Sequence, residues 1–168
     1  VAPDITAELH FQPFELNADM PAEGQDTREH LTQKYRISAE QARANGEAIR
    51  ARGAAVGFTY DPQRRSRVWN TFDAHRLLHW AHETAPQGNG KSRQEALKRA
   101  LFTAHFTENR NLTDAGVLTA AAEAAGLDRA EAGEVLASGR YAQAVRASED
   151  LWRSRGITSV PAVVVEGK

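Results

Sequence analysis

Residues 5 to 14 alternate strictly. Ile5, Ala7, Leu9 and Phe11 fall on one face and Thr6, Glu8, His10 and Gln12 on the other, and this period of two predicts a β-strand. Pro13 has no N–H for a ladder, so it closes the strand or edges it, and the polar stretch from Asn17 to Gly24 leads away. From Asp26 the spacing turns helical for more than a hundred residues. Gln25 to Tyr35 reads as a first helix. Ser38 with Gln41 forms a capping box for a second that runs to about Gly53. Thr59 to Arg67 reads as turn and loop, after which Asn70 or Thr71 caps a helix that reaches about Ala85. Ser92 with Glu95 caps the next, whose stripe of Leu97, Ala100, Leu101 and Ala104 has helical spacing. Thr113 to Ala125, Arg129 to Ala137 and Tyr141 to Arg155 complete the series, with Gly126 and Gly139 between them. Gly156 stops the last helix, and the apolar run Ala162 to Val165 predicts a closing strand.

Two strands this far apart in sequence do not make a stable sheet alone, since about three strands or a covering helix layer are needed. The pattern therefore predicts that residues 5 to 12 and 162 to 166 share one sheet with strands supplied by further segments before Val1 and after Lys168. The helices between about 25 and 138 would form a separate layer. No fixed repeat and no sustained heptads occur, which disfavours a solenoid or a coiled coil.

Composition narrows the function classes. Twenty-one Lys and Arg face twenty-two Asp and Glu in 168 residues, so no net field attracts nucleic acid or anionic lipid. The apolar runs fall far short of the roughly 18 residues that span a bilayer, and no signal-peptide pattern opens the chain. There is no cysteine. That rules out structural disulfides and cysteine-based zinc sites within these residues, and it fits a cytoplasmic home.

Several clusters invite chemistry. His75, His79 and His82 share a helical stripe, but the outer two lie about 10 Å apart along the axis, too far for one zinc with ligands near 2.1 Å. His79 and His82 with Glu83 also lack the order of a zinc-protease helix, and no metal is expected. Arg64, Arg65 and Arg67 could meet an anion, although an arginine-rich loop is more often simply solvated. Gly88 to Ser92 lacks the phosphate-loop spacing and reads as a helix connector. Trp69, Trp80 and Trp152 read as packing between helices.

Taken in order, Phe11-Gln12-Pro13-Phe14-Glu15-Leu16-Asn17 with Met20-Pro21, Asn70-Thr71 with Ala74-His75-Arg76-Leu77, Ala100-Leu101-Phe102 with Phe106, and Gly156 to Pro161 resemble DsbA-like thioredoxin-fold oxidoreductases, in the branch related to the dithiol-disulfide isomerases of polyketide biosynthesis. The resemblance implies an α/β, thioredoxin-like fold, partial here, interrupted by a large all-helical insertion. Residues 1–20 and 140–168 would form its two thioredoxin-like parts and 21–139 the insertion. It implies a cis Val160-Pro161 bond, with Val160 presenting its backbone to an extended substrate. The implied substrate-binding residues are Ser159, Val160, Pro161, Asn70, His75 and Phe14, and none of them is catalytic.

The resemblance also implies a thiol-disulfide oxidoreductase or isomerase acting on a dithiol or disulfide, protein or small molecule, with no cofactor. Its Cys-x-x-Cys segment is absent from this chain. A helix N-terminus would lower the pKa of such a cysteine, and nothing present replaces that sulfur. Two alternatives stay open: a glutathione-dependent enzyme of the kappa-like branch, with Ser in place of the first cysteine, and a non-catalytic peptide-binding protein.

Overall fold

The computed structural model describes residues 9–63, 66–84 and 93–165. A short strand β1 (Gln25–Asp26) runs into α1 (Thr27–Tyr35), which is followed by α2 (Ala39–Ala55). A second short strand, β2 (Arg67–Val68), precedes α3 (Phe72–Glu83) and α4 (Arg93–Phe102). A π-helical turn (Thr103–Thr107) extends α4, and α5 (Ala115–Ala124), α6 (Arg129–Ser138) and α7 (Ala142–Ser154) complete the order.

Helices α3 to α6 carry the core. Leu77, Trp80 and Ala81 of α3, Leu97 and Leu101 of α4, Leu118 and Ala122 of α5, and Ala132 and Val135 of α6 form one buried cluster. The stripe expected in α4 is real, since Leu97, Leu101 and Ala104 are buried and Ala100 packs against them. Trp80 lies inside this core and Trp69 against it. The capping box of Ser38 and Gln41 forms as expected, while Asp114 and Asp128 accept from the first-turn amides of α5 and α6.

Two sequence expectations are corrected. Gln25 and Asp26 do not open α1. They pair antiparallel with Val68 and Arg67, and Asp26 then caps the helix through Glu29 N. This is the only sheet among the described residues, and its register is fixed by side chains: Arg67 donates to the Glu23 and Gly24 carbonyls while its guanidinium lies 5.5 Å from the Trp69 ring.

The second correction concerns the predicted sheet of residues 5–12 and 162–166. Residues 9–12 and 162–165 are irregular, and Val163 and Val165 are exposed. Alternation marks a segment able to pair, but a strand exists only when another backbone takes up its N–H and C=O groups. At Phe11 that partner is a side chain, because Gln94 accepts from the Phe11 N–H at 3.0 Å and donates to its carbonyl at 2.9 Å. Residues 5–8 and 166, Arg64, Arg65 and the Gly88–Ser92 connector with its Ser92 cap lie outside the described residues.

Candidate functional site

Segment 10–13 lies across α3 and α4 and roofs a cleft of about 190 Å³, well above the roughly 10–15 Å³ that holds one water. Its walls include His75, Leu78, His79 and His82 from α3 and Gln94 from α4. A helical repeat of 3.6 residues brings the three histidines to one face, as their spacing predicts. They do not act as a set. His82 meets the His10 ring edge-on at 5.3 Å between centroids, and His79 packs against Tyr141 at 5.2 Å. Among the described residues there is no group of three or more metal-ligating side chains placed to hold an ion.

His75 differs from its neighbours. Burial, with Lys98 and Arg146 nearby, lowers its imidazole to about 4, and a hydrogen bond to the Phe14 backbone opposes that shift only in part. Its ring is therefore neutral near pH 7. Lys98 lies beside the roof: its Nζ is 4.8 Å from the Phe11 ring centroid and 5.2 Å from that of Phe102. Burial lowers the Lys98 pKa as well.

Beside the cleft two buried carboxylates share one solvent-exposed arginine. Glu15 and Glu149 are 3% and 0% exposed, and Arg146 Nη1 donates to Oε2 of both. The Glu15 N–H donates to Glu149 Oε1 at 2.8 Å. Glu149 thus has both oxygens satisfied, whereas Glu15 Oε1 is buried without a partner. Burial first, then Glu149, raises the Glu15 pKa against the opposing pull of Arg146 and Arg153. The Arg146 guanidinium also covers the Phe72 ring at 3.9 Å, which ties α7 to the start of α3.

The other expected site residues fall in two places. Asn70 commits its side chain to the fold, since Nδ2 donates to the Met20 carbonyl at 2.9 Å and Oδ1 accepts from Phe72 N at 2.8 Å. Thr71 occupies the cap position but makes no side-chain bond there. Phe14 contacts His75 through its backbone, and its ring faces the Arg153 guanidinium at 5.6 Å. Ser159, Val160 and Pro161 are exposed, the Val160-Pro161 bond is cis, and none of the three lines the cleft.

Glu15, Lys98, Arg146 and Glu149 were not legible as site residues. Two of them carried a signal: Glu15 lies in the family-like run Phe11 to Asn17, and Glu149 is a carboxylate sharing the stripe of Val145 and Trp152 on α7.

A family model described as a DSBA-like thioredoxin domain matches residues 2–168. The chain belongs to that family. A solved structure, that of a probable DsbA oxidoreductase from Streptomyces coelicolor, is 38% identical and superposes with a TM-score of 0.77 over 88% of this chain. The chain spans 61% of that protein's length. No curated protein matches it significantly. For this DsbA-like chain the thioredoxin-type fold with a helical insertion is thereby shown, and the oxidoreductase family with it.

Proposed function

We propose that this chain is the substrate-facing part of a thiol-disulfide oxidoreductase whose reacting dithiol is carried by residues outside these 168. The observation that carries the reading is the family match along residues 2–168, joined to a sequence without a single cysteine. Disulfide exchange requires a thiolate to attack a sulfur, and no side chain here supplies one. The chain's contribution is recognition. Val160 and Pro161 offer an exposed apolar surface to an extended disulfide-bearing segment, and the His75 cleft with Phe11 and Pro13 provides a second recess. Asn70 serves indirectly, by holding the Met20 carbonyl against the start of α3.

The test compares this chain with the longest natural product that contains it, by thiol titration and insulin reduction. The expected result is no turnover from the cysteine-free chain and turnover from a longer product bearing Cys-x-x-Cys. A longer product with serine at the first cysteine position would move the reading to a glutathione-dependent enzyme, and one with neither residue to a binding protein. Either finding overturns the proposal.

A further inference from the structure

Three side chains spaced one turn apart run along one side of α4. Gln94, Lys98 and Phe102 stand at i, i+4 and i+8, which the helical repeat brings into a row. Gln94 holds the Phe11 backbone through two hydrogen bonds. Lys98 then carries its Nζ to 4.8 Å from the Phe11 ring centroid and 5.2 Å from that of Phe102, so the ammonium sits between two rings.

An ammonium has three N–H donors, and a ring face attracts its charge without offering a lone pair. Among the described residues no oxygen takes those donors: Glu95, the nearest carboxylate in sequence, bonds Arg99, and Nζ meets only the two rings. Lys34, by contrast, donates to the Leu16 carbonyl and to Asn17 Oδ1. Because Lys98 is partly buried, some of its hydration is already lost on folding, and an incoming anion gains more there than at a fully exposed charge. Phe102 supplies the other half. It is 42% exposed and is the outer member of a chain of rings that meets Phe106 edge-on at 5.8 Å and continues to Phe58 and Tyr60. A fixed aromatic face beside an unpaired cation suits a ligand that is aromatic at one end and anionic at the other.

We propose that Lys98 and Phe102 form a binding site for a small aromatic carboxylate, whose oxygens accept from the Lys98 Nζ and whose ring packs against Phe102. The site lies beside the cleft and is distinct from it, since neither side chain is one of its walls. It does not rest on the oxidoreductase reading, because no thiol takes part.

NMR of the lysine side chains in the full 168-residue chain, labelled with carbon-13 lysine, tests the site without an activity assay. The chain has only four lysines, and the Lys98 signal is the one that Lys98→Arg removes. Titration with 3-phenylpropionate near pH 7 at fixed ionic strength should shift the Lys98 ε-methylene saturably and leave that of Lys34 in place. Two probes separate charge from ring. 3-Phenylpropanamide keeps the ring without the charge, and propionate keeps the charge without the ring; each should bind at least about tenfold more weakly, the effect of losing one charge-assisted contact or one packed ring. Lys98→Met, read by saturation transfer from the ligand, should abolish the preference for the acid over the amide. Phe102→Leu should instead reduce the preference for phenylpropionate over propionate. No saturable Lys98 shift, equal shifts at Lys34 and Lys98, or an amide that binds as tightly as the acid would overturn the proposal. Should Lys98→Met fail to fold, the comparison of acid and amide on the unsubstituted chain decides. A longer product without disulfide exchange would count against the oxidoreductase reading and leave this site standing.

Discussion

Removing the Arg76 guanidinium should be among the most damaging single changes outside the apolar core. Its side chain is 5% exposed, and it reaches from α3 to the end of α6 and the turn beyond. Nε donates to the Arg140 carbonyl at 2.9 Å, Nη2 to that of Val135, and Nη1 to that of Leu136 at 3.3 Å and to Asp73 Oδ1 at 2.7 Å. Val135 and Leu136 lie in the last turn of α6, where carbonyls lack helical partners. Arg76→Met keeps much of the apolar stem but strands these acceptors. Hydrogen bonds to a charged group contribute about 1.5–3 kcal/mol each, and the cost of desolvating the arginine offsets part of their sum. A net loss of about 3–5 kcal/mol is expected, in the range measured when one member of a buried polar network is removed.

In urea, with a slope of about 2 kcal/mol/M, that loss lowers the midpoint by roughly 2 M, and in a thermal melt it lowers Tm by about 10 °C. Arg76→Lys should recover less than half, because an ammonium can reach Asp73 but cannot match the planar fork that spans three carbonyls. A loss below about 1 kcal/mol with an unchanged slope would refute the claim that this fork seals the α6–α7 junction.

Three further outcomes follow from the packing and the ionic cluster. Leu97→Ala, at a position with no solvent exposure, should cost about 2–5 kcal/mol by urea unfolding, through lost burial and the cavity left behind. Gly24→Ala should cost more than ~1 kcal/mol and weaken β1–β2 amide protection in hydrogen exchange. Gly24 holds φ 66°, and a Cβ there would sit 2.4 Å from the Val68 carbonyl oxygen and 2.7 Å from the Trp69 ring. For Glu15 the folded pKa lies above the unfolded 4.5, so its contribution to stability is full below 4.5 and is lost as pH rises through the raised value. His75 works the other way: its fall from 6.5 to about 4 removes stability as pH drops below 6.5. Urea unfolding of Glu15→Gln across pH 4 to 8 should therefore lose the alkaline-side decline and keep the acid-side one, and an unchanged profile would contradict the buried carboxyl's role.

The helical layer was legible because its signals are local. Ser38 and Gln41 lie three residues apart, and the α4 stripe repeats within a single helix. The Gln25–Asp26 strand was not legible, since two residues carry no period and their partners lie some forty positions on. The pattern at residues 5 to 12 showed the capacity to pair without showing a partner, and Gln94 supplies that role for Phe11 with a side chain. His75 stood out by its resemblance to a family motif, but what singles it out physically is the neighbourhood of Phe14, Lys98 and Arg146. Glu15 lies 134 positions from Glu149 and 131 from Arg146. No spacing rule joins residues so far apart, so a carboxylate beside Leu16 reads as an ordinary surface charge until the fold delivers its partners.

Helix α2, like α1 before it, lies outside the buried core. Across its seventeen residues only Gly46 is buried, with Pro62 so close that an added Cβ would come within 2.9 Å of the proline Cβ. Its ends are secured locally, by the capping box at Ser38 and by the Phe58 N–H on the Gly53 carbonyl. A rod fastened at a few points and closed at its ends makes few demands on what is written along its outer side. Its solvent face could be recharged, tagged or spliced to another protein while α3 to α6 hold their shape, provided such editing spared Gly46, Gly53, where an added Cβ would come within 2.9 Å of the Phe58 carbonyl oxygen, and the Gln41 of the capping box.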